Sequence, residues 1–176
     1  MGHKSGAICM IEIKLQRPVQ WIICLLHGNE LSLRHLIQEL DGKTTGPMGF
    51  TGPVGKQLNN CEKLQITEFD AIPSPDTDID DAELSTDQKY LLGIYYSAVS
   101  RGSCSSALAA RNQGKMAHSR WLTTANRFLC LYVSTSEPSS TFNEIVRFIM
   151  TVYTPIWFKI KKNSSFTEGV KFYFLK

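Results

Sequence analysis

The chain is 176 residues long, 43% hydrophobic and 20% charged, with a formal net charge of +3. That length holds one ordinary domain or a domain with an appendage, and the apolar share excludes wholesale disorder. The longest apolar runs, residues 21–26 and 128–133, fall far short of the roughly 20 residues that a membrane-spanning helix needs.

Ala7, Ile8, Met10, Ile11 and Leu15 predict an amphipathic helix over residues 6–15. Arg17-Pro18 ends it, because proline disfavours a helical predecessor. Residues 20–27 form a short continuous apolar run bounded by Pro18 and Gly28-Asn29, which reads as a buried strand. Leu33, Leu36, Ile37 and Leu40 recur at helical spacing. They predict a helix over residues 30–40, capped by Asn29 and ended by Gly42. The order helix, strand, helix over residues 1–41 suits an α/β layer. Residues 42–88 cluster proline and glycine first and acids afterwards, and read as an irregular, partly mobile connector.

Residues 89–176 read as helical. Ser85-Thr-Asp-Gln88 matches a capping box, and the helix it opens runs through Tyr90, Leu91, Ile94, Tyr95 and Ala98 to Gly102. A second helix starts near Ser119 with Trp121, Ala125, Phe128, Leu129 and Tyr132 on one face. Thr141-Phe-Asn-Glu144 matches another capping box. It opens a helix with Phe142, Ile145, Val146, Ile149, Val152 and Tyr153 inward, and Pro155 stops or kinks that helix. The tail, residues 157–176, is aromatic and basic. The net charge conceals a division: residues 61–88 hold nine acids and one cation, and residues 89–176 hold twelve cations and three acids.

Motifs for chemistry are sparse. The five cysteines are scattered and odd in number, and the polar start lacks a secretory apolar core, which favours a reducing intracellular compartment. Glycine recurs every third residue from Gly46 to Gly55, too briefly for a collagen helix, so the segment reads as a loop. The acids from Asp76 to Asp87 resemble a calcium loop, but Asp81 stands where the turn needs glycine. Cys24-x-x-His27 has metal-ligand spacing on one side only, so both residues read as structural. No nucleophile elbow or spaced acid pair occurs. Arg111, Lys115, Arg120 and Arg127 gather around helix ends beside Trp121. Basic and aromatic residues together mark either a nucleic-acid surface or a solvated face over a core.

Two motifs together carry a family likeness. Arg17-Pro-Val-Gln-Trp21-Ile-Ile-Cys24-Leu-Leu-His27-Gly-Asn29-Glu-Leu31 resembles a strand-end motif of hAT-type DNA transposases. His118-Ser-Arg120-Trp121-Leu-Thr-Thr124 is similar to the Arg-Trp-Ser/Thr segment of their helical insertion. Residues 36–55 and 114–132 also resemble transposon-derived proteins of invertebrate genomes. The resemblance implies an RNase H-like core interrupted by an all-helical insertion. In such enzymes three carboxylates bind two divalent metals that clamp the attacking and leaving oxygens. This chain departs from that pattern. Residues 1–26 contain no Asp, and Glu144 and Glu168 sit in no matching motif, so no residue is carried over as catalytic.

The expected fold is therefore mainly α with a small α/β portion. Residues 1–41 would be an incomplete RNase H-like core segment, 42–88 a connector, and 89–176 a helical insertion-type bundle with a basic aromatic tail. The expected function is that of a truncated, catalytically inactive transposase fragment with residual nucleic-acid binding or self-association. Arg111, Lys115, Arg120 and Arg127 would contact DNA weakly and electrostatically, while Cys24, His27 and Trp121 would be structural. No metal, cofactor, membrane or small-molecule substrate is expected, and the location is intracellular, nuclear or cytoplasmic. The alternative is a repurposed interaction scaffold using the acidic linker and the basic helices.

Overall fold

A computed structural model describes residues 7–17, 25–47, 49–75, 79–80, 82–111, 113 and 120–163. The fold is mainly helical. In chain order come α1 (Ala7–Leu15), α2 (Leu25–Asp41), β1 (Thr44–Gly46), β2 (Gly49–Phe50) and α3 (Pro53–Lys56). A 3₁₀ turn at Cys61–Lys63 follows, then α4 (Thr86–Gly93), α5 (Ser106–Ala109), α6 (Arg120–Tyr132), α7 (Ser140–Phe148) and α8 (Thr154–Lys162). A π-helical turn, Ile94–Val99, continues α4, and another, Ile149–Tyr153, joins α7 to α8. The two strands form an antiparallel hairpin pairing Thr44 with Phe50 and Gly46 with Gly49. This hairpin is the only sheet among the described residues.

The helix α6 is the axis of the core. It packs against α2, α4 with its π turn, the 3₁₀ turn and α7. Trp121, Leu122, Ala125, Phe128, Leu129 and Tyr132 are buried, as the helical spacing predicts, but so are Thr123, Thr124 and Asn126. A helix enclosed on most sides hides its polar positions too. The capping box at Ser85 is present, with the Gln88 side chain accepting from the Ser85 amide at 3.2 Å.

Four local expectations need correction. First, Leu25 and Leu26 begin α2 rather than ending a strand; residues 20–24 lie outside the described residues. A short apolar run does not itself distinguish strand from buried helix. Leu26, Asn29, Leu33, Ile37 and Leu40 prolong the helical period backwards along the core-facing side. Asn29 is consequently inside the helix, where its Nδ2 donates to the Tyr153 carbonyl at 3.0 Å. The other end behaves as expected: α2 stops at Asp41, and Gly42 takes the left-handed conformation at φ 100°.

Second, residues 42–75 are irregular but built into the core. Val54, Leu58, Cys61 and Ile72 are buried. The extended stretch beyond the 3₁₀ turn is pinned by four hydrogen bonds: Thr67 N to Val133 O, Ile72 N to Val99 O, Tyr132 Oη to Asp70 O and Tyr95 Oη to Pro75 O. The two buried tyrosines lie along helices, and their hydroxyls need partners at the core boundary. The extended segment supplies them.

Third, α7 is capped by Ser139, whose hydroxyl accepts from Phe142 N at 3.2 Å, and not by Thr141. Fourth, Pro155 neither stops nor sharply ends the helix. The chain widens into the π turn and restarts with Pro155 in the first turn of α8, where a missing N–H costs least. The widening has a packing reason. Phe142, Val146, Met150, Thr154 and Phe158 are all buried at strict four-residue steps. Each such step overshoots a regular turn by about 40°, and a wider turn returns part of that rotation to the core.

Candidate functional site

The residues singled out for nucleic-acid contact separate in the fold. Arg111 is exposed just beyond α5, and Arg127 is half-buried on α6. Arg120 opens α6, and its side chain lies outside the described features, as does all of Lys115. Trp121 is 6% exposed and meets Phe50 edge-on at 6.4 Å between ring centroids. It is part of the core and offers no face for a base to stack on. His27 is exposed in the first turn of α2, with Nδ1 3.9 Å from Glu30 Oε2, too long for a hydrogen bond. Cys24 lies outside the described residues.

Exposed cations are found elsewhere. Along α7 and α8 the stripe Glu144, Arg147, Thr151, Ile156, Lys159 and Lys162 faces solvent. Its five-residue step from Thr151 to Ile156 spans the π turn. Lys159, Lys161 and Lys162 occupy the last turn of α8, where positive charge complements the helix dipole. Arg101, Arg111, Arg147 and Lys159 are exposed and make no ion pair among the described residues.

Two polar arrangements escaped the sequence reading. One is Asp41, buried at the end of α2. Its carboxylate accepts from Val54 N at 2.9 Å and Gly55 N at 2.7 Å and so caps α3 from another element. Gly52 makes this approach possible, because a Cβ there would run into the Asp41 carbonyl and carboxylate. The glycine triplets thus build a hairpin and one helical turn around a buried acid. No sequence rule links Asp41 to amides more than ten residues on; only the short Gly-Pro spacing hinted at a tight loop.

The other is a thiol–amide cluster between the 3₁₀ turn, α4 and α6. Cys61, Cys130, Tyr90, Gln113 and Asn126 are all buried there. Gln113 Nε2 donates to Cys61 Sγ at 3.7 Å, and Cys130 Sγ donates to Ala109 O at 3.8 Å. Asn126 Nδ2 donates to the carbonyls of Asp87 at 3.0 Å and Gln113 at 3.3 Å. The hydrogen bond to Cys130 and burial push the Cys61 thiol well up. Cys130 is shifted below the ordinary thiol range, chiefly by the neighbouring Cys61 thiol, which outweighs burial. Burial pushes Tyr90 up, and likewise the partly exposed Cys104.

A shallow depression of about 450 Å³ lies on the surface, lined by Glu68, Phe69, Asp70, Gly102, Ser136 and Pro138. Among the described residues no three His, Cys, Asp or Glu side chains are grouped to hold a metal, and no helix is long and apolar enough to cross a membrane. Comparison of the chain with protein families, with curated proteins and with solved structures finds no match.

Proposed function

We propose that the chain is a transposon-derived helical module that binds nucleic acid electrostatically and carries no catalytic centre of its own. The observation that carries this reading is the exposed cations. Residues 89–176 hold twelve cations against three acids, and Arg101, Arg111, Arg147 and Lys159 present their charge to solvent without an acidic partner among the described residues. Exposed cations of that kind attract a phosphate backbone and release its counterions. The family part of the reading, including descent from an RNase H-like transposase, is supported by the order of the Cys24-x-x-His27 and Arg120-Trp121 motifs along the sequence. The burial of Trp121 moves the contact surface from the mixed Arg-Trp cluster to the exposed cations alone. Binding on those terms is insensitive to base sequence.

The test is fluorescence anisotropy with labelled single- and double-stranded DNA over a salt series. Log affinity should fall linearly with log salt, and each of Arg111→Ala, Arg147→Ala and Lys159→Ala that contacts a phosphate should lower the slope by about one. Binding that is unchanged by salt, or absent at low salt, overturns the proposal.

A further inference from the structure

A surface helix ordinarily turns its apolar residues inward and its charges outward. The helix α1 does the reverse. Cys9 and Glu12 are half-buried, while Met10 and Ile13 are 62% and 66% exposed and Ile11 and Leu15 are exposed beside them. At about 100° per residue the order around the exposed side is Ile13, Met10, Lys14, Ile11, Leu15. An exposed lysine thus stands in the middle of an apolar arc, and Arg17, also exposed, follows just beyond the helix. Neither cation makes an ion pair among the described residues. Such a face matches a partner that offers apolar contact around a carboxylate.

The chain itself carries a surface of that description. Glu68, Phe69 and Asp70 lie on the extended stretch beyond the 3₁₀ turn. With Gly102, Ser136 and Pro138 they line the depression of about 450 Å³. Alternate side chains of an extended stretch share a side. Phe69 turns toward the core, where its ring meets Tyr132 at 5.9 Å, and Glu68 and Asp70 on either side of it are exposed. The backbone that carries them is fixed: Thr67 N donates to Val133 O at 3.1 Å, and Tyr132 Oη donates to Asp70 O at 3.0 Å. Two carboxylates are therefore held at one depression, and neither makes an ion pair among the described residues. Phe69 and Pro138 are half-buried and supply the apolar contact.

We propose that α1 of one copy of the chain docks on the Glu68–Asp70 depression of a second copy. Lys14 meets the two carboxylates, and the apolar residues around it meet Phe69 and Pro138. Packing two α1 helices face to face would instead set two Lys14 ammonium groups together in the middle of the contact, where like charges repel. The proposed contact is heterologous, because the two faces differ, so each pair keeps one unused helix and one unused depression and association continues beyond a dimer. One nine-residue helix falls well short of the roughly 20–30 residues a side of a stable interface, which sets the association at the weak end. The inference does not rest on the nucleic-acid reading.

The test is sedimentation equilibrium of the full chain, freed of nucleic acid, over a wide concentration series. The weight-average mass should rise above the 19.8 kDa of one chain with concentration and fall back as salt is raised. Two charge reversals then test the pairing. Lys14→Glu sets an acid against the depression, and the Glu68→Lys, Asp70→Lys double variant sets lysines against Lys14. Each alone should stay at the mass of one chain. An equimolar mixture should associate again, because the helix of each variant then matches the depression of the other. A third variant leaves the charge unchanged: Ile13→Ser, at an exposed position, should weaken association at least roughly tenfold. All these positions are exposed, and circular dichroism checks that the variants keep the parent fold. A parent chain that stays at one-chain mass throughout overturns the proposal, including the case in which it binds phosphatidylserine vesicles instead. Association that Lys14→Glu and Ile13→Ser both leave unchanged overturns it too, as does a mixture of the reversed variants that stays dissociated.

Discussion

The helices α6 and α1 are opposites. α6 is amphipathic by sequence, yet Thr123, Thr124 and Asn126 are as fully enclosed as Phe128. α1 is almost wholly apolar, yet Met10, Ile11, Ile13 and Leu15 are 48–66% exposed. Apolar content alone therefore does not settle burial. What settles it is how many sides of the helix find a neighbour. α6 is met by α2, α4, the 3₁₀ turn and α7, and Thr123, Thr124 and Asn126 are hidden because those neighbours leave little of it to solvent. The buried amides and hydroxyls of α6 are then obliged to find partners, and the thiol–amide cluster around Asn126 and Gln113 is one outcome.

The contrast breaks first at Phe128. Its ring meets Phe50 at 6.3 Å and Phe142 at 6.2 Å and is wholly buried. Phe128→Ala should lower the unfolding free energy by about 3–5 kcal/mol in urea denaturation. A loss below about 1 kcal/mol would mean that α6 is not enclosed. Asp41 gives the next largest effect. Asp41→Ala strands the Val54 and Gly55 amides in a buried loop and should cost about 2–3 kcal/mol. Gly52→Ala should cost about as much by pushing the same carboxylate away. If the Asp41→Ala, Gly52→Ala double variant loses the full sum of the two, the carboxylate and the glycine act separately and this account of the loop is wrong.

Much of the helical architecture was legible in the sequence. The spacing of Leu33, Leu36, Ile37 and Leu40, the Ser85–Gln88 box and the face from Trp121 to Tyr132 each led to a helix that is there. Those signals are local: one turn of chain contains both the pattern and its cause. The features that were not legible depend on distant partners. Leu25 and Leu26, at the end of the apolar run before Asn29, join α2 because of what α2 packs against, and the run alone carries no such information. Residues 65–75 read as a connector because their anchors are single hydrogen bonds from tyrosines on other helices. Gln113 and Cys61 look unremarkable until Cys130 is beside them. For the basic cluster, the sequence placed Arg127 and Trp121 on one helix correctly but gave no means of telling which of its sides would meet solvent.

The cap of α7 sharpens the same point on a smaller scale. Both Ser139 and Thr141 stand in front of the apolar stripe, and Thr141 has the Glu144 that a capping box calls for. The chain uses Ser139, whose hydroxyl accepts from the amide of Phe142, itself buried in the first turn. Ser139→Ala should therefore cost about 1 kcal/mol. Thr141→Ala should cost only a few tenths, as expected of a position inside the first turn. Equal losses at the two positions would show that the helix start shifts between them.

The smallest effect is predicted where the sequence looks most hydrophobic. Ile13 is 66% exposed on α1, so Ile13→Ser removes little apolar surface from any interior. Its unfolding free energy should stay within about 0.5 kcal/mol of the parent chain, against the several kcal/mol expected at Phe128. A thermal or urea midpoint that falls as far for Ile13→Ser as for a buried position would place α1 against a covering surface. The free-energy difference would then report that cover directly, since transfer of an isoleucine side chain out of water stabilises by about 1.5–3 kcal/mol. Repeating the measurement over a range of protein concentration separates cover within the chain from cover by a second copy: only the second makes the loss depend on concentration.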